Sequence, residues 1–191
     1  MIDSITAVIL AGGRSSRMGS NKAFLPIDGI PLIERARLLL AEIFSHTILS
    51  TASPNTYEEV ALNEVVDRYP ESGPLGGITS VLESGENRIF CVACDMPFLN
   101  RDLIEYQCTF TDCDAVIPVW KGRPEVLHAV YDRKLLCDFQ KNLNEMRFKI
   151  SDCFRDAHIR YISEEEIRRF DSAGRSFRNI NTPQDYERLK L

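Results

Sequence analysis

The 191-residue sequence has no apolar run approaching the roughly eighteen residues that crossing a bilayer as a helix requires. Its start, Met1-Ile2-Asp3-Ser4, carries no basic segment ahead of an apolar stretch, so no secretory leader is expected and the chain is expected to be cytoplasmic, with no membrane partner. Positive charge is in short supply: 23 Lys and Arg stand against 28 Asp and Glu, a net charge of -5. That balance argues against a nucleic-acid partner, because phosphate backbones are held by an excess of basic groups. There are 3 histidines, and His46 and His158 lack metal-ligand spacing. None of the 6 cysteines forms the repeated pairs of a zinc site. Cys91-Val92-Ala93-Cys94 is a C-x-x-C, but it closes an apolar run that reads as a strand, where residues three apart face opposite sides. Reduced, buried thiols are the expectation. No repeat, low-complexity tract or linker interrupts the chain, and its length predicts one domain over 1–191.

The most informative segment present is Val8 to Lys22, V-I-L-A-G-G-R-S-S-R-M-G-S-N-K. A short apolar strand ends at Ala11, and glycines, small hydroxyls and cations follow. Gly12, Gly13 and Gly19 let backbone N–H groups approach an anion, while Arg14, Arg17 and Lys22 bring mobile positive charge. Two familiar phosphate loops do not fit. A Walker A loop needs Lys and then Ser or Thr directly after its last glycine, whereas Ser20-Asn21-Lys22-Ala23 follows Gly19. The dinucleotide fingerprint G-x-G-x-x-G does not match the glycine spacing either.

Short apolar runs at Ile5–Ala11, Thr47–Ser50, Glu64–Val66, Arg88–Cys94 and Ala115–Val119 predict strands. They alternate with stretches of helical period such as Leu32, Ile33, Ala36, Leu39, Leu40 and Ile43. That alternation predicts an α/β fold of three layers, a mostly parallel sheet with helices on both faces. Val119 to Arg123, followed by Val126 to Tyr131, predicts a hairpin and hence an antiparallel addition in the C-terminal half. Helices are expected over Leu135–Leu143 and Ser163–Phe170, the charges of the second read as a solvated face. Another is expected to start at Thr182-Pro183-Gln184-Asp185, with a hydroxyl cap, Pro at the first position and a carboxylate at the third.

Ligands on such sheets bind at the carboxyl ends of the strands. Asp95 stands where the fourth strand runs out, and Pro97 turns the chain just after it. A hard ion such as Mg²⁺ takes one or two carboxylates together with phosphate oxygens and water, and Asp95 is the candidate carboxylate. Asp67 ends the third strand, shortly before a second glycine turn, Ser72-Gly73-Pro74-Leu75-Gly76-Gly77, whose peptide groups can read the edge of a purine. His128 falls among apolar strand residues and reads as a hydrogen-bonded core histidine.

The pattern L-A-G-G-x-S-x-R-M-G-x-x-K resembles the nucleotidyltransferases that activate a phosphorylated small molecule with a nucleoside triphosphate. Leu10-Ala11-Gly12-Gly13 resembles most the molybdenum cofactor guanylyltransferase family. The resemblance runs the whole length and implies a Rossmann-like nucleotidyltransferase fold, with GTP and a phosphorylated, molybdenum-bearing pterin as substrates. It implies Mg²⁺ on Asp95, charge neutralisation by Lys22 with Arg14 and Arg17, and nucleotide contacts from Leu10, Ala11, Gly12, Gly13, Asp67, Gly73, Pro74 and Leu75. Asn179-Ile180-Asn181-Thr182-Pro183 resembles the family's N-x-N-T-P element, with Asn179 and Asn181 contacting substrate, and Arg123 becomes a candidate contact for the acceptor phosphate. Where the family carries an Asn after the second strand, this chain has Ser50-Thr51-Ala52-Ser53, and Thr51 or Ser53 is the replacement hydroxyl. Rival readings are a cytidylyltransferase on the same pterin, a sugar-1-phosphate nucleotidyltransferase and a non-catalytic nucleotide-binding module. The first tends to read L-A-A-G, and the last would not keep both Lys22 and Asp95. A metal-dependent glycosyltransferase would carry an Asp-x-Asp pattern that Met96-Pro97 breaks. Oligomeric state is not readable, and the sequence is compatible with a monomer.

Overall fold

A computed structural model describes residues 1–12 and 21–187. The first strand, β1 (Thr6–Leu10), leads on to a small ribbon of β2 (Pro26–Ile27) and β3 (Ile30–Pro31), then α1 (Leu32–Ile43) and β4 (Thr47–Thr51). Next come β5 (Asn63–Val66), α2 (Pro74–Glu83), β6 (Arg88–Ala93), α3 (Arg101–Cys108) and β7 (Ala115–Trp120). The last part holds β8 (Arg123–Pro124), β9 (His128–Asp132), α4 (Leu136–Asn144), β10 (Ile159–Ile162), α5 (Glu164–Arg168) and α6 (Pro183–Glu187).

The main sheet runs β10-β7-β9-β6-β1-β4-β5, with β8 paired to β7. Strands β6, β1, β4 and β5 are parallel neighbours, and β10 is parallel to β7. The reversed long strand is β9, antiparallel to both β6 and β7. The expected hairpin is present: Lys121 and Gly122, at φ 50° and 74°, turn β7 into β8. The chain beyond it does not simply extend that arm, because β9 slots between β6 and β7.

Both faces of the sheet are covered, which is why the central strands read as continuous apolar runs. Ala7 and Ile9 of β1 face α1, α3 and α5 through Ile33, Leu40, Leu103 and Ile167. Val8 faces the other way, toward Ile78 and Val81 of α2 and Phe139 of α4. Helix α1 buries one stripe, Leu32, Ile33, Ala36, Leu40 and Ile43, as its spacing predicts. On β6, Cys91 packs in the α2 and α4 layer and Cys94, just past the strand, packs on the other; both are free thiols.

The predicted start of α6 is observed. The Thr182 hydroxyl accepts from the Asp185 N–H at 3.1 Å, and the Asp185 carboxylate accepts from Thr182 N–H at 2.9 Å. At α5 the charges are more than a solvated face. Glu166 closes a capping box with Ser163 and also accepts from Tyr106 and Arg160. Burial opposes its ionisation, yet these donors together hold the carboxyl at about 2.

Candidate functional site

The carboxyl ends of β1, β4, β5 and β6 open into one cleft of about 270 Å³. Backbone pairing carries each strand a residue or two past its formal end: Ala11 N–H donates to Ser50 C=O, Cys94 N–H to Leu10 C=O and Asp67 N–H to Thr51 C=O. The first residues after the strands are thereby held side by side at the rim. Leu10, Ala11, Gly12, Asp67 and Asp95 all line the cleft.

Lys22 begins a short 3-10 turn, Lys22–Phe24, whose cap is Asn21; the Asn21 side-chain oxygen accepts from the Ala23 N–H at 3.1 Å. The Lys22 ammonium donates to Asn181 Oδ1 at 3.2 Å, across 159 residues of sequence. Asn179 and Asn181 are exposed and both line the cleft, while Ile180 between them is buried against Ile27 and Leu32. The Ile180 N–H donates to the Asp95 C=O at 3.0 Å, so an extended tail is fixed on the far wall with both amides toward the cleft.

Asp95 is half-buried, and its Oδ1 is shielded from solvent without a hydrogen-bond partner among the described residues. Burial pushes its carboxyl above the usual carboxylate value, and the nearby Lys22 ammonium pulls the other way. An orphaned carboxylate oxygen at the rim of a cleft is suited to a cation. Among the described residues no three His, Cys, Asp or Glu cluster to cage a metal unaided. The donor set is therefore one carboxylate with room for a ligand's own oxygens, which fits Mg²⁺. Cys94, beside Asp95, has a thiol pushed up to about 12, chiefly by burial, and is not a nucleophile here.

The second glycine turn forms the opposite wall. Gly73 sits at φ 65° and ψ -152°, a region essentially closed to other residues, and Pro74 opens α2 with no side-chain cap. Gly73 and Pro74 line the cleft, whereas the Leu75 side chain turns into the core at 0% exposure. Gly76 and Gly77 serve close packing rather than a flexible turn. A Cβ on Gly76 would stand 2.8 Å from both Asp67 Oδ1 and the Tyr69 C=O, and one on Gly77 would stand 2.7 Å from Ser50 Oγ. Asp67 accepts from the Tyr69 N–H at 2.8 Å and from Ser80 Oγ at 3.3 Å. Burial pushes its carboxyl up, against those bonds.

The remaining expected contributors divide into those the structure does not describe and those it places away from the cleft. Gly13, Arg14, Arg17 and Gly19 lie outside the described residues. Arg123 is exposed at the start of β8 and is not part of the cleft wall. Thr51 is fully buried, its hydroxyl unpaired among the described residues, and Ser53 is exposed; the hydroxyl-bearing residue of that stretch lining the cleft is Ser50, still within β4. His128 is in the core as read, but among the described residues neither ring nitrogen has a hydrogen-bond partner, so the expected bond is not found there. Its ring sits edge-on between Phe90 and Phe177.

Sequence reasoning missed Tyr57, Asn21 and Leu127, all in the cleft wall. The Tyr57 hydroxyl donates to the Ala11 C=O at 2.8 Å, with Asn21 Oδ1 at 3.3 Å. Asn21 was legible in principle as an Asn ahead of a short turn. Tyr57 lies in a loop with no periodicity, and nothing local marks it. No helix among the described residues is long and apolar enough to cross a membrane.

Residues 7–157 match the model of a family described as the MobA-like NTP transferase domain. A probable molybdenum cofactor guanylyltransferase of Carboxydothermus hydrogenoformans is 33% identical over 98% of this chain and 96% of its own length. A molybdenum cofactor guanylyltransferase of Syntrophotalea carbinolica is 33% identical over 97% and 90%. Among solved structures, molybdopterin-guanine dinucleotide biosynthesis protein A of Archaeoglobus fulgidus superposes with a TM-score of 0.85 at 25% identity, covering 97% of each chain.

Proposed function

The chain belongs to the MobA-like NTP transferase domain family, and from that premise we propose that it transfers GMP from GTP to the phosphate of a molybdenum-bearing pterin, releasing pyrophosphate. It is a nucleotidyltransferase, and its relatives place it in molybdenum cofactor biosynthesis. The finer reading, GTP and the pterin, is supported by the relatives' names together with one observation on this chain. Lys22, Asp95, the Asn179-Ile180-Asn181 tail and the Gly73-Pro74 turn all border a single cleft.

In the proposed reaction an acceptor phosphate oxygen bonds to the α-phosphorus of the triphosphate, and the bond from that phosphorus to the β-bridging oxygen breaks. A phosphate monoester is already ionised, so no general base is needed. Transfers of this kind depend on positioning and charge neutralisation more than on covalent chemistry by the protein. The Lys22 ammonium offsets charge on the triphosphate and on the departing pyrophosphate. Arg14 and Arg17 carry further positive charge in the same glycine segment. Asp95 would hold Mg²⁺, which when bound screens phosphate charge and makes the α-phosphorus more electrophilic. Backbone groups at Leu10 to Gly12 and the Gly73-Pro74 turn, with Asp67, take the nucleoside. Asn181 steadies Lys22 from the facing wall, and Asn179 beside it is positioned for the acceptor.

Titration calorimetry with Mg²⁺ and each of GTP and CTP tests the base. GTP should bind roughly tenfold tighter or better, the worth of about one well-made buried hydrogen bond to the purine edge. Pyrophosphate release with a phosphorylated pterin and with a sugar 1-phosphate tests the acceptor. Tighter CTP binding, or turnover with the sugar phosphate alone, would replace this reading.

A further inference from the structure

We propose that Tyr57 is the positioning residue for Lys22: its ring and hydroxyl lock the turn that carries the lysine to the end of β1. The inference rests on reading the cleft as a triphosphate site and deepens it.

Lysine is a flexible stem ending in a compact charge, so its ammonium is placed no better than the backbone it hangs from. The Lys22–Phe24 turn is only three residues long, closed by the Phe24 N–H on the Asn21 C=O at 3.2 Å and the Leu25 N–H on the Lys22 C=O at 3.0 Å, so its own bonds fix its shape and not its place beside β1. Tyr57 holds it from two directions. The Tyr57 ring stacks on Phe24 at 5.6 Å with a 27° interplanar angle. Its hydroxyl sits within reach of Asn21 Oδ1, the atom that caps the turn through the Ala23 N–H. The shorter leg of that hydroxyl, 2.8 Å, goes to the Ala11 C=O at the end of β1. One side chain from the β4–β5 connection therefore joins the central strand to the lysine's turn. Tyr57 is itself 7% exposed, and burial pushes its phenol above the usual value, so it is a neutral donor. Phenylalanine could make the stack but not the bridge.

Calorimetry with Mg²⁺ and GTP tests the assignment, using Tyr57→Phe, Asn21→Ala, Lys22→Ala and the two double variants with Lys22→Ala. Tyr57→Phe should weaken GTP binding about tenfold, the worth of one buried hydrogen bond, while shifting the melting temperature by no more than a few degrees. In the Lys22→Ala background the same change should cost nothing further, because the group being positioned is gone. Asn21→Ala should behave alike. Unchanged affinity in Tyr57→Phe, or an equal loss with and without Lys22, overturns the assignment and leaves Tyr57 as scaffold. Wild-type protein that binds no triphosphate overturns both this inference and the reading beneath it, so the two failures are distinguishable.

Discussion

Replacing His128 by leucine should remove a specific part of the protein's acid sensitivity while leaving the fold intact. The imidazole is 0% exposed, lies edge-on to Phe90 and Phe177 at 5.2 and 5.3 Å, and has no hydrogen-bond partner for either nitrogen among the described residues. Burial depresses it from 6.5 to about 4. Above pH 6.5 the ring is neutral in folded and unfolded chains and costs nothing through titration. Between 6.5 and 4 the unfolded chain takes a proton that the folded one refuses, so stability present above 6.5 is lost as the pH falls toward 4. The gap between those values converts to about 3 kcal/mol in full, and to about 2 kcal/mol by pH 5. For a chain of this size that is roughly 4 to 8 °C in melting temperature. Urea midpoints of wild type and His128→Leu, taken from pH 7.5 to 4.5, isolate the effect because every other titrating group is shared. The variant should sit within about 1.5 kcal/mol of wild type at pH 7.5, as a near-volume-conserving core change does, and gain on it steadily in acid. Curves that fall in parallel would refute the reasoning.

Asp95→Asn should cut turnover with Mg²⁺ and GTP by roughly 100- to 1,000-fold, and Lys22→Ala by a similar factor, both read as pyrophosphate release. The two should part company in a thermal scan of the ligand-free protein. Asp95→Asn removes a charge that burial disfavours and should raise the melting temperature, while Lys22→Ala should not. A variant at Asp95 that is both active and no more stable would contradict the role given to it. Gly76→Ala drives a Cβ against the Tyr69 carbonyl and the Asp67 carboxylate. Its urea midpoint should report a loss of about 1 to 3 kcal/mol, with weaker GTP binding alongside, and a neutral result would show that the turn has slack.

How much of this was legible beforehand follows from the range of the forces involved. The ends of β1 and β6 were legible to within one residue, read at Ala11 and Cys94 and observed at Leu10 and Ala93, because a strand buried on both faces is apolar and its end is not. The end of β5 at Val66, on the sheet edge and only part-buried, was legible from the charged Asp67 that follows its valines. That placed Asp67 and Asp95 at one rim without any knowledge of partners. The Thr182-Pro183 helix start was legible for the same reason, since capping is settled within four residues. Helix α3 and strand β10 went unpredicted: α3 is 8 residues of mixed polarity and β10 is 4 residues at the sheet edge, too short to establish a period. The insertion of β9 between β6 and β7 depends on pairing choices between distant segments, which local pattern does not encode. The same limit hid Tyr57, whose partners Ala11 and Asn21 are 46 and 36 residues away.

The bond from the Ile180 N–H to the Asp95 carbonyl separates what builds the sheet from what completes the cleft. The eight main-sheet strands are complete by Ile162, and Asn181, which meets the Lys22 ammonium, lies beyond all of them. Architecture and competence are thus written in different stretches of the chain, so damage to the later stretch would spare the strand pairing while stripping the wall that faces Lys22.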